Sequence, residues 1–113
     1  TAAQLAALRV LGGAGEAWVA RAREAYRDLG DAAADRLGVP RPEGGTFLFL
    51  DVASRLDGRG LTGFLEDAAD RGLLVAPGAS CGPYPSHVRL CFTSAPPDVV
   101  RRGVEVLASL LGK

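Results

Sequence analysis

Four residues between positions 81 and 91 carry the side chains most able to do chemistry: Cys81, His87, Arg89 and Cys91. Arg89 stands inside "HVRLCF" (His87 to Phe92), a run whose alternation sends Val88, Leu90 and Phe92 to one side and His87, Arg89, Cys91 and Thr93 to the other. A guanidinium on the polar side of a strand is a planar, two-donor fork matched to a carboxylate or a phosphate. The plain alternative pairs Arg89 with a structural carboxylate such as Asp51 across the sheet. The preceding loop favours a ligand, because the Pro77-Gly78 turn and Gly82 let backbone come close to whatever the arginine holds. Cys81, His87 and Cys91 form a C-x5-H-x3-C spacing, which falls short of a structural zinc site: four ligands in tighter pairs are the rule, and no fourth is near. A Cys81/His87 nucleophilic pair lacks the third residue that would orient it. The two thiols read as free, as expected of an intracellular protein.

The rest of the chain limits what this group can be part of. At 113 residues it is one domain, small for an enzyme with its own cofactor cleft. Thirteen basic and thirteen acidic residues, interspersed, leave no electrostatic footprint for nucleic acid or an anionic membrane. No apolar run suits a membrane span, and the first residues are unlike a signal peptide, so the reading is soluble and cytoplasmic. The chain starts at Thr1 and holds no methionine, which is expected of a segment cut from something longer. Its one lysine is Lys113, the last residue, a poor place for the held, desolvated amine of a Schiff base.

Helical spacing of Trp18, Ala22, Ala25, Leu29, Ala33 and Leu37 predicts a long helix from about Glu16, after a short helix and a bend at Gly12, Gly13 and Gly15. Trp18 and Tyr26 read as packing residues on it. Gly38 stops this helix, and Pro40 and Pro42 block its resumption. Strands are expected at Thr46 to Val52, Leu73 to Ala76 and His87 to Thr93, with a helix from Leu61 to a left-handed cap at Gly72. Pro96, Pro97 and Asp98 start the last helix, and Val100, Val104, Leu107 and Leu111 line one face of it. The order ααβαββα predicts an α+β domain: a small three-stranded, mainly antiparallel sheet covered on one face by helices and preceded by a long helix. Arg89 is expected on the uncovered face, and the long helix along the edge and reaching away toward the rest of a longer protein, exposing apolar surface through which an isolated copy self-associates.

Three stretches in register, "PEGGTFLFLDV" (Pro42 to Val52), "GLLVAPGASCG" (Gly72 to Gly82) and "HVRLCF", resemble the C-terminal small domain of class I/II aminotransferases, pyridoxal-phosphate enzymes of fold type I. Gln4 to Ala7, with Leu11, and "REAYRD" (Arg23 to Asp28) are similar to helices of the same family, so the resemblance spans nearly the whole chain. It implies that residues 1–37 are the helical interdomain segment and 38–113 the α/β core of one small domain. It also implies that Arg89 clamps the α-carboxylate of an amino-acid or 2-oxo-acid substrate, with Gly45 (beside Gly44) and Cys81 near the same substrate. Cys81 stands where the family usually has phenylalanine, and Pro83-Tyr84-Pro85 replaces a more pliant stretch. The cofactor, pyridoxal 5'-phosphate, its lysine and its phosphate-binding residues would belong to a large domain, and the full enzyme would be a homodimer. A lyase, cyclase or oxoamine synthase of the same fold type, or a stand-alone ligand-binding or interaction module, is the alternative.

Overall fold

In a computed structural model describing residues 1–113, the last helix shows how this sequence makes a core. Helix α4 (Pro97–Leu110) opens with proline in its first turn, where a missing N–H costs nothing, and Asp98 there favours the helix dipole. Its apolar residues recur every three or four positions, so Val100, Val104, Leu107 and Ala108 fall on one face and are buried.

They meet the second half of α2 (Glu16–Leu37), where Leu29, Gly30, Ala33, Ala34 and Leu37 are buried. The alanines and Gly30 bring α2 close: a Cβ on Gly30 would stand 3.0 Å from the Phe92 ring. The helix ends at Gly38 in the left-handed conformation (φ 63°), and Val39 N–H reaches back to the Ala34 carbonyl at 3.0 Å. Outside the core, Arg36 forks onto Glu105 (2.9 and 2.8 Å), tying α2 to α4 through an exposed pair that solvent screens. Ahead of α2, α1 (Ala2–Arg9) is capped by Thr1 and Gln4 and separated by one wide turn in which Gly13 has φ 94°.

Strands β1 (Phe47–Asp51), β2 (Ala76–Pro77) and β3 (His87–Cys91) form one antiparallel sheet in the order β1-β3-β2. Leu48, Leu50, Val88 and Leu90 all point to the helical side and join one apolar cluster with α2, α4 and α3 (Gly60–Asp70), which supplies Phe64 and Ala68. Arg59 precedes α3 and bridges Asp57 (2.9 Å) and Asp67 (2.7 Å), fixing the turn that starts it. Gly72 takes φ 80° just past its end, as expected of a left-handed cap. The α+β architecture, with three antiparallel strands and helices on one face, is the one expected from the sequence.

Three expectations are corrected. The second strand does not run from Leu73 to Ala76: Leu73 turns into the core, Leu74 is 86 % exposed, and pairing begins only at Ala76, opposite Arg89. The stripe on α2 divides: Leu29, Ala33 and Leu37 are buried, whereas Trp18 is 62 % exposed and Ala25 is exposed too. Trp18 and Tyr26 therefore do not pack into this core; they line a cleft of about 560 Å³ with Arg23, Arg27 and the Pro42–Gly45 loop. The last nine residues of α2 are a core element, and its first half projects from the sheet. That projection, with exposed Leu5 and Leu8 on α1 and Leu11 in the wide turn after it, gives extents of 55 × 28 × 24 Å.

Candidate functional site

The face of the sheet turned away from the helices carries Phe47, Phe49 and Asp51 from β1, Ala76 from β2, and His87, Arg89 and Cys91 from β3. Arg89 sits at its centre, with Phe49 directly opposite on one neighbour and Ala76 opposite on the other. Its guanidinium lies over the Phe47 ring, 4.5 Å from the centroid. One terminal nitrogen donates to Cys81 Sγ at 3.6 Å, a weak contact. No carboxylate lies within ion-pair distance of it.

Asp51, the plain alternative partner, is engaged elsewhere. The register sets it opposite His87, and its Oδ1 accepts from the Ala53 N–H (2.9 Å) and the Ser86 hydroxyl (2.8 Å). Those two donors hold its carboxyl below the ordinary carboxylate range. The geometry thus removes the ion-pair reading and leaves Arg89 with unused donors facing solvent.

Beside Arg89 three rings gather. Phe49 stacks on His87 (centroids 4.9 Å apart, planes 28° from parallel) and meets Tyr84 edge to face at 5.0 Å; Tyr84 and His87 are 5.3 Å apart. Tyr84 is carried by the loop between β2 and β3, and that loop is held close by Gly78: a Cβ there would come within 2.6 Å of the Tyr84 carbonyl. Ser80 adds a bond from its hydroxyl to the Pro77 carbonyl at 2.7 Å. Cys91 lies further along the face. Burial pushes its thiol up, but hydrogen bonds from Thr93 and Ser94 and the charge of Arg89 outweigh that and bring it below the ordinary thiol value.

Of the residues singled out from sequence, Arg89 and Cys81 come into contact. Gly45 does not join them; with φ 77° it lines the α2 cleft beside Gly44. Cys81, His87 and Cys91 do not converge with any other acid, thiol or imidazole into a group able to hold a metal ion. The aromatic residues Phe47, Phe49 and Tyr84 were not anticipated. For Phe47 and Phe49 the signal is the alternation Phe47-Leu48-Phe49-Leu50, which puts two rings on the polar side of an edge strand; Tyr84, in a loop, carries no such signal.

No family model matches the chain, and no curated protein matches it. Solved structures do. The kynurenine aminotransferase of Pyrococcus horikoshii, crystallised with PMP, superposes with a TM-score of 0.71 at 27% identity, over 92% of this chain and 28% of that one. LysN, the α-aminoadipate aminotransferase of Thermus thermophilus, gives 0.71 at 23% identity, over 93% and 29%. An aminotransferase from Mycobacterium tuberculosis gives 0.57 at 23% identity, over 77% and 23%. This chain therefore spans less than a third of the length of these relatives, and its helices and three-stranded sheet have the fold of one part of a pyridoxal-phosphate-dependent aminotransferase.

Proposed function

We propose that this chain is the small domain of a fold type I aminotransferase, and that Arg89 clamps the α-carboxylate of the amino-acid or 2-oxo-acid substrate. The observation that carries the proposal is the arginine's state: central on an uncovered sheet face, laid over Phe47, and paired with no carboxylate. A guanidinium held this way is preorganised for a bidentate bond to a flat anion, and a fixed carboxylate fixes the geometry at the neighbouring carbon. Cys81, against the same guanidinium, is a small side chain and leaves room beside the clamp.

The residues of this chain do not fit the cofactor. Its single lysine, Lys113, donates from Nζ to the Leu37 carbonyl at the end of α2, away from the Arg89 face. The cofactor and its lysine therefore fall to the remainder of a longer polypeptide in this proposal, and the contribution of this chain is orientation. The test has two arms. The complete protein, loaded with pyridoxal phosphate, should move an amino group from an amino acid to a 2-oxo acid. The 113-residue segment mixed with pyridoxal phosphate should give no borohydride-trapped adduct beyond that of ordinary terminal amines. A strong internal adduct on the segment, or a complete protein that transfers no amino group, overturns the proposal.

A further inference from the structure

We infer that the substrate class at this site is an amino acid with an aromatic side chain, seated on the Phe49–Tyr84–His87 cluster beside the Arg89 clamp; the inference rests on the clamp reading above. Phe49 is the cross-strand partner of Arg89, and such partners hold their Cβ atoms about 5 Å apart. His87 lies two residues along the same strand, on the same face, about 7 Å from Arg89 along the strand axis. A ring carried two or three bonds from a carboxylate spans that distance.

The cluster also has the right character. Phe49 and Tyr84 are 41 % and 42 % exposed although they pack on one another, so ring surface remains open next to the guanidinium. Edge-to-face and offset stacking on these rings favour another ring over an aliphatic chain of similar area. Charge argues the same way. Arg89 is the one arginine or lysine among the strand residues of this face; Arg71 and Arg102 line a cavity with it toward the Cys91 end, whereas the group at the His87 end is Asp51, whose carboxylate is held ionised by Ala53 and Ser86. A second carboxylate on the substrate would find no cation of this chain there and would face that anion.

The test uses unreactive carboxylic acids and reads binding rather than turnover. Calorimetry on the complete, cofactor-loaded protein should show 3-phenylpropionate binding at least tenfold more tightly than butyrate or glutarate. In Phe49→Leu and Tyr84→Leu, which keep apolar bulk and so preserve the sheet, 3-phenylpropionate should weaken several-fold while butyrate stays within twofold. In Arg89→Ala all three acids should weaken together. If the leucine variants weaken the three acids equally, or wild type prefers glutarate or butyrate, the aromatic assignment is wrong while the clamp stands. If Arg89→Ala binds all three as wild type does, the clamp itself fails and takes this inference with it.

Discussion

The guanidinium of Arg89 rests 4.5 Å above the centre of the Phe47 ring, and Phe47 is 47 % exposed, so the pair forms an open shelf on the sheet rather than a buried contact. An exposed cation–π pair contributes about 0.5–1 kcal/mol, enough to select one arginine rotamer but too little to matter for the fold. Phe47→Leu should thus leave the unfolding midpoint nearly unchanged. In the complete protein it should raise KM for carboxylate substrates several-fold with kcat little altered, because the clamp keeps its charge and loses its rest position. Steady-state kinetics with two amino acids of different side chain would check this, and equal kinetics in the variant would remove Phe47 from the positioning role.

Gly78 should tolerate no side chain. Its would-be Cβ meets the Tyr84 carbonyl at 2.6 Å and the His87 carbonyl at 2.8 Å, both backbone, so the β2–β3 loop must move. Gly78→Ala is expected to cost about 1–3 kcal/mol, as overpacking does, and to disturb Tyr84 and His87 together. Gly44→Ala, where the added methyl meets nothing within 4 Å, is the control, expected within about 0.5 kcal/mol of wild type. Urea midpoints of the two variants decide it.

The carboxylates give a defined response to acid. Asp35, Asp57, Asp67 and Glu105 are held below their ordinary values of 3.8 and 4.5, first of all by hydrogen bonds from Arg41, Arg59 and Arg36, and Asp51 by the Ala53 N–H. Each has a folded value below its unfolded one, so its contribution is complete above the unfolded value and disappears as pH falls through the folded value. The thermal midpoint should be level above about pH 5 and fall below about pH 4. Glu105→Gln, which removes one of the five, should make that fall shallower; an unchanged pH profile would show that the Arg36–Glu105 fork has no linkage to folding.

How far the sequence led is seen best in particular residues. The last helix was legible because one period of apolar residues, Val100, Val104 and Leu107, needs a single partner face and has it. The long helix is legible as a helix, but its partners are not: Ala33 and Leu37 are buried in the core, while Trp18 and Tyr26 obey the same period and stay exposed, lining a cleft with Phe92. The second strand is shorter than its composition suggests because Leu73 and Val75 look like strand residues but are drawn against the core, and only two residues remain to pair. At the site, alternation was enough to put Arg89 on the open face. Its relation to Asp51 depended on register, which carries Asp51 to His87 and Phe49 to Arg89. The aromatic cluster depended further on a loop whose path is set by Gly78.

The measurement that tests the account most directly is kcat/KM for an amino acid, set beside cofactor affinity, in Arg89→Lys and Arg89→Ala of the complete protein. Lysine would replace the planar fork by a mobile point charge, and alanine would remove the charge. The clamp predicts a loss of about 2–5 kcal/mol in transition-state terms, roughly thirty- to five-thousand-fold in kcat/KM, with cofactor affinity within twofold of wild type. Near wild-type kcat/KM in Arg89→Ala, or release of the cofactor with substrate handling intact, would contradict it.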